Sequence, residues 1–179
     1  MKKKILVIAV ILCIVSISQI HAFGLGVQGN FYIENDYFAP GLSLCVSPSR
    51  TFNIAANWLA RTSLETFTIV GITFDAVPVS VRIAGSSPKL ISGPTDWSLK
   101  FTLGAGIFTN FWFKNFFEFD DEFKYNGGFR IPIGLSYFFG KNFEAFFHVA
   151  PSFNIQIHPQ LGFENLSYPV ALGARIWFK

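Results

Sequence analysis

Five residues in the C-terminal half carry the groups of most obvious chemical use: Lys100, Arg130, Glu144, His148 and Arg175. Each sits in a run where apolar residues take every second position and the charged residue falls between them. Three cations, one carboxylate and one imidazole gathered in a confined space must either pair or be hydrated. Hydrated, they would form a gate or a selectivity ring. Paired, they would form a structural network, with Glu144 as the natural partner of one or more cations. Gln28, Asn53, Asn57, Ser136 and Asn154 hold equivalent positions in their own runs. A second group lies at 116–123, "FFEFDDEF", where Glu118, Asp120, Asp121 and Glu122 alternate with aromatic rings. Those oxygens suit a hard cation such as Ca²⁺. Their spacing fits no known calcium loop, so the stretch is predicted to be a solvated external loop. Phe113, Phe116, Phe117 and Phe119 are many aromatics for a watery segment. They either extend the neighbouring strands or line a mouth for an apolar ligand.

Other chemistry is missing from the pattern. His148 and His158 have no ligand partner at metal-site spacing, and both are read as hydrogen-bonded residues. No Ser–His–Asp or Cys–His arrangement stands out, and no glycine loop of the phosphate-binding kind occurs. The Asn165-Leu166-Ser167 sequon is expected to be unused in a bacterial envelope. The sequence therefore predicts no enzyme, no cofactor and no metal.

The elements that must position these residues follow from composition and periodicity. Of 179 residues, 51% are hydrophobic, 18% aromatic and only 14% charged. A soluble domain carries about 25% charged residues to wet its exterior; this chain lacks them. Lys2, Lys3 and Lys4, then the apolar 5–17, then a stretch ending at Ala22 read as a signal peptide over 1–22, too short in its apolar part to span a membrane. Leu12 is not the small residue that lipoprotein cleavage prefers, so Cys13 is read as one more apolar residue. Removing three Lys and no acid takes the formal charge from +3 to neutral, so nothing in the charge points to nucleic acid. Cys45 is then alone and cannot form an internal disulfide.

Residues 23–179 are read as one domain. They consist of alternating runs separated by Gly, Pro, Asn, Ser and Asp: 23–33, 41–46, 52–60, 66–83, 97–113, 127–139, 143–157 and 168–178. "ENDYFAP" between the first two is read as turn, and "SPSR" and "GKN" as short turns. Pro78 is taken as a bulge within one long strand; splitting the run there would give nine strands. Eight suits a closed antiparallel barrel from one chain. If the apolar faces pointed inward, Gly24, Gly26, Gly104, Gly106, Ala55 and Ala150 would face water. Nearly every Trp and Phe would then have to fit inside a narrow cylinder. Turned over, the apolar face meets lipid and the small and polar face fills the lumen. In lipid the sheet must also close. Tyr32, Trp58, Trp97, Tyr137, Tyr168 and Trp177 are expected at the interfaces.

The chain thus reads as an all-β, eight-stranded antiparallel up-and-down transmembrane β-barrel. It resembles the small outer-membrane barrels of the OmpA, OmpX and OmpW type over essentially all of 23–179. Through "RIPIGLSYFF", "FEAFFHVAPSF" and "YPVALGARIWF" it is nearest to a spirochaetal outer-membrane barrel family. Its last run resembles the C-terminal signal read by the barrel-assembly machinery, carried by Gly173, Ile176 and Phe178. Lys179 and Ala171 depart from that signal. The resemblance implies outer-membrane lipid as solvent and a cleaved signal. It also implies a structural or adhesin-like role, with a host surface or an apolar small molecule as ligand at the external loops. The alternative is a narrow OmpW-like channel for small apolar molecules.

Overall fold

The computed structural model describes residues 22–34, 37–62, 66–86, 96–113, 124–164 and 166–178. The segment before Ala22 expected to be a signal peptide, the acidic residues Glu118, Asp120, Asp121 and Glu122 with Phe116, Phe117 and Phe119, and Lys179 lie outside the described residues. Period-two alternation becomes strand throughout: β1 Phe23–Glu34, β2 Tyr37–Ser49, β3 Phe52–Thr62, β4 Thr66–Gly85, β5 Trp97–Phe113, β6 Lys124–Arg130, β7 Ile133–Phe139, β8 Phe143–Val149, β9 Ser152–His158, β10 Gly162–Phe163 and β11 Val170–Phe178.

These segments build eight barrel strands. β1 to β5 pair in sequence, and β5 pairs along one half with β6 and along the other with β7. β8 lies between β7 and β11, while β9 lies between β6 and β10. β11 then pairs with β1 and closes the ring. β6 and β7 are therefore halves of one barrel strand, as are β8 and β9, and β10 and β11 share the last.

Two runs read as continuous from sequence are interrupted, at Ile131–Pro132 and Ala150–Pro151. Proline has no N–H to give to a ladder. Its carbonyl still accepts, so the wall stays shut. Gly104 N–H donates to Pro132 O at 2.9 Å, Ile131 N–H to Pro151 O at 2.9 Å, and Ala150 N–H to Pro169 O at 2.8 Å. The expected turn "ENDYFAP" is mostly strand, because β2 begins at Tyr37. Pro40 stands one residue outside the ladder with β3, which starts at Gly41, so its missing N–H breaks no bond there. β4 is a single bulged strand whose register against β5 shifts between Ala76 and Val79.

Directly paired residues followed round the ring show how the barrel closes. Glu144, Arg175, Gly26, Cys45, Ala55, Thr73, Phe108, Gly128 and Asn154 are successive cross-strand partners. The path returns to its starting strand at Asn154, ten residues beyond Glu144. That stagger over eight strands, with about 3.3 Å per residue and about 4.8 Å between strands, tilts the strands by about 40°. Every residue on this path faces inward, and the small ones make room for the large. Leu42, Leu44, Val27 and Phe129 point the other way and are more than half exposed.

Candidate functional site: the filled lumen

Near the end that carries the chain termini, Glu144 and Arg175 are direct cross-strand partners, both buried. Arg175 Nη1 lies 3.3 Å from Glu144 Oε2, and Trp177 Nε1 donates to the same oxygen at 2.8 Å. Arg175 Nη2 donates to Asn53 Oδ1 at 3.1 Å, an oxygen that also accepts from Ser47 Oγ at 3.0 Å. The guanidinium lies 4.7 Å from the centroid of Phe146 and 5.3 Å from that of Trp177. One carboxylate and two rings therefore hold the cation that alternation turns inward from β11.

In the middle of the barrel Arg130 Nε sits 3.1 Å from Asp75 Oδ1, and Arg130 Nη2 is 3.3 Å from His148 Nε2. A guanidinium only donates, so His148 accepts at Nε2 and carries its proton on Nδ1. The imidazole stacks on Phe146, 5.8 Å between centroids and 6° from parallel. Gly106, opposite both Asp75 and Arg130, is what leaves this pair its space. A Cβ there would collide with Asp75 Oδ1 and come within 2.7 Å of Phe74 O. Gly106→Ala is expected to destabilise the refolded barrel by about 1–3 kcal/mol, the ordinary cost of overpacking. Urea titration followed by tryptophan fluorescence measures it, and an unchanged midpoint would mean the pair has slack.

Towards the opposite end the lumen is mostly amide and hydroxyl, with the Glu164 carboxylate accepting from Asn126 Nδ2 at 2.8 Å. Gln28 Nε2 donates to Asn30 Oδ1 at 2.8 Å, Asn30 Nδ2 to Ser43 Oγ, and Ser43 Oγ to Asn57 Oδ1 at 2.7 Å. Cys45 Sγ donates to Gln28 Oε1 at 3.2 Å. Asn154 Nδ2 donates to the Tyr32 hydroxyl at 3.2 Å, and Ser167 Oγ to Asn154 Oδ1 at 3.3 Å. Tyr32, Ala39, Leu59, Ile69 and Trp112 close this level as an apolar cluster. Two small cavities are lined by described lumen residues. One cavity of about 60 Å³ touches Arg50, Asn53, Asp75, Ser136, Glu144 and His148. Another of about 40 Å³ lies by Asn30, Asn57, Asn110 and Arg130. Each has room for a few waters.

Lys100, Arg130, Glu144, His148 and Arg175 all point inward, in two separate clusters rather than one. Among the described residues Lys100 forms no ion pair; its Nζ lies 4.6 Å above the Phe138 ring. Asp75, the partner of Arg130, is missing from the residues singled out in the sequence. The signal that would have found it is the series Gly71, Thr73, Asp75, alternate small and polar positions in a run blurred by Pro78. Phe113, expected in the external loop, is instead the last residue of β5 and buried, paired with Thr68 of β4. Of the C-terminal trio, Ile176 and Phe178 are half-exposed on the outer wall. Gly173 faces inward, where a Cβ would come 2.5 Å from the Phe146 ring and 2.6 Å from Val27 O. Two of the six expected interface aromatics, Tyr32 and Trp177, are buried in the lumen, because they share parity with Asn30 and Arg175 and have polar atoms to bond there.

Outward aromatics do gather at two levels. Phe23 and Phe178 pair across β1 and β11, Phe139 and Phe143 across β7 and β8, and Trp97 stacks on Tyr137 at 5.6 Å. At the other level Phe31 stacks on Phe38 at 5.7 Å and Phe129 is the direct partner of Phe153.

No family model matches this chain, and no curated protein matches it. Solved structures share its outline. The N-terminal β-barrel domain of Pseudomonas aeruginosa OprF is 15% identical, with 87% of this chain and 97% of that one covered and a TM-score of 0.45. Neisserial surface protein A is 15% identical over 88% and 96%, with a TM-score of 0.49. Ail, the attachment invasion locus protein of Yersinia pestis, is 15% identical over 88% and 97%, with a TM-score of 0.38. At these identities and scores the likeness is one of outline alone.

Proposed function

We propose that this chain is a bacterial outer-membrane barrel with a structural or surface-binding role and a lumen filled by side chains. The observation that carries the reading is the outer wall. Phe129 and Phe139 mark the two aromatic levels on one barrel strand, and Phe143 and Phe153 on the next, each pair ten residues apart in sequence. At about 3.3 Å per residue and about 40° of tilt, ten residues span about 25 Å, the height of the apolar band of such barrels. Between those levels the wall is aliphatic and aromatic, and water would not tolerate it. The end away from the termini would be the external one. There Leu161 and Phe163 are 80% and 92% exposed, which suits contact with an apolar ligand or a host surface. The barrel-assembly machinery, on this reading, recognises Ile176 and Phe178, whose exposure on the outer wall supports it. On this reading the protein is not an enzyme and uses no cofactor.

Small cavities with the Arg130–Asp75 ion pair between them support a lumen that does not conduct. The refolded protein in a planar bilayer is expected to give no steady ionic current, with or without an apolar solute added. A stable open conductance would replace this reading by the narrow OmpW-like channel.

A further inference from the structure

We infer that the mouth at the termini end is a binding site for a phosphate-type oxyanion, held by Arg50, Arg82 and Lys100. Arg82 of β4 and Lys100 of β5 are direct cross-strand partners. Like charges set opposite one another in a ladder destabilise it, so this pairing needs compensation. Arg50, from the turn between β2 and β3, reaches across the mouth. Its guanidinium lies 5.4 Å from the Phe138 centroid and 5.6 Å from that of Trp177, and Nη2 donates to Lys141 O at 3.3 Å. Lys100 Nζ stands 4.6 Å from the same Phe138 centroid, so the Arg50 and Lys100 cations cannot be more than 10 Å apart.

Among the described residues no carboxylate lies within ion-pair distance of these three cations. Glu144 is taken by Arg175 and Trp177. Asp96, at the same end, reaches none of them. Residues 87–95 contain Lys89 and no acid. Two guanidinium groups and one ammonium line this mouth beside the Phe138 and Trp177 rings, with Arg82 Nη2 also donating to Ser86 O, and their unbalanced charge makes a positive potential at the opening. Guanidinium forks match the oxygens of a phosphate group, and its multiple charge suits three cations better than a single carboxylate would. The phosphate could belong to a lipid headgroup at the membrane surface or be free in solution. The assignment rests on the barrel and its charges and holds whether or not the lumen conducts.

The processed chain, refolded in zwitterionic detergent, is titrated with inorganic phosphate and pyrophosphate at constant ionic strength, reading the urea midpoint and the heat of binding. A second arm compares vesicles of phosphatidylcholine alone with vesicles containing phosphatidylglycerol. A rise in midpoint with free phosphate or pyrophosphate assigns the site to a soluble oxyanion. A rise confined to the phosphatidylglycerol vesicles assigns it to headgroups. In the responding arm Lys100→Gln and Arg82→Gln each weaken the effect about tenfold or more, the loss of one charged hydrogen bond. Lys124→Gln, at the opposite rim, leaves it unchanged. No rise in either arm overturns the proposal. So does an equal rise with sodium chloride, or an undiminished response in both mouth variants when heat-modifiability shows them folded.

Discussion

Glu144→Gln is expected to lower the stability of the refolded barrel by about 3–5 kcal/mol, the loss seen when one partner of a buried ion pair is removed. Glu144 is 4% exposed, and its Oε2 receives both the Arg175 guanidinium and the Trp177 indole. A glutamine still accepts from Trp177 but leaves the Arg175 charge uncompensated. Asn53 and two ring faces are then its remaining support. Urea titration in lipid vesicles, with Trp177 itself as a buried fluorescent reporter, reads the change. Lys124→Gln, an exposed substitution, should stay within about 0.5 kcal/mol of the parent. Equal, negligible effects of the two would mean that Glu144 is hydrated, and the lumen would then be an open, wet channel.

Asp75→Asn should cost a similar amount, about 3–5 kcal/mol, by stranding Arg130. Arg130 is 7% exposed and, besides Asp75, has the neutral nitrogen of His148 against it. Removing both charges is a different experiment. Asp75→Leu combined with Arg130→Met takes out the desolvation cost together with the attraction, and such exchanges are often neutral or stabilising. The double variant is therefore expected to lie within about 1 kcal/mol of the parent or above it, although its Asp75 single costs several. The two clusters share Phe146, which carries the Arg175 guanidinium on its ring and the His148 imidazole in parallel stack. Glu144→Gln and Asp75→Asn combined should accordingly fall short of the sum of the two. Strict additivity would show that Phe146 transmits nothing between them.

Alternation by itself determined which way almost every side chain points. Successive residues of a pleated strand must face opposite sides, so Lys100, Arg130, Glu144, His148 and Arg175 were legible as one face without any knowledge of neighbours. The same local rule, carried through 71–75, would have added Asp75, and at 32 and 177 it would have kept Tyr32 and Trp177 off the outer wall. Residue type suggested an interface for those two rings, and pleat parity overruled it. Strand number followed from counting the alternating runs, with Pro78 taken as a bulge, and closure from composition, because an apolar exterior with too few charges needs lipid around it and a closed ladder within it.

Which cation meets Glu144 was not legible. Arg130 and Arg175 lie on the two strands that flank it, and parity is the same for both. The choice depends on register, and register depends on the whole ring. The barrel closes with a ten-residue stagger, which sets Arg175 directly opposite Glu144. The same closure lifts Arg130 to the level of Asp75, two barrel strands away across β5. The breaks at Pro132 and Pro151 follow locally from proline's missing N–H, whereas the oppositions of Glu144 with Arg175, of Arg130 with Asp75 and of Arg82 with Lys100 have one origin. Each is a relation between residues far apart in the chain, fixed only when all eight strands accept one common stagger.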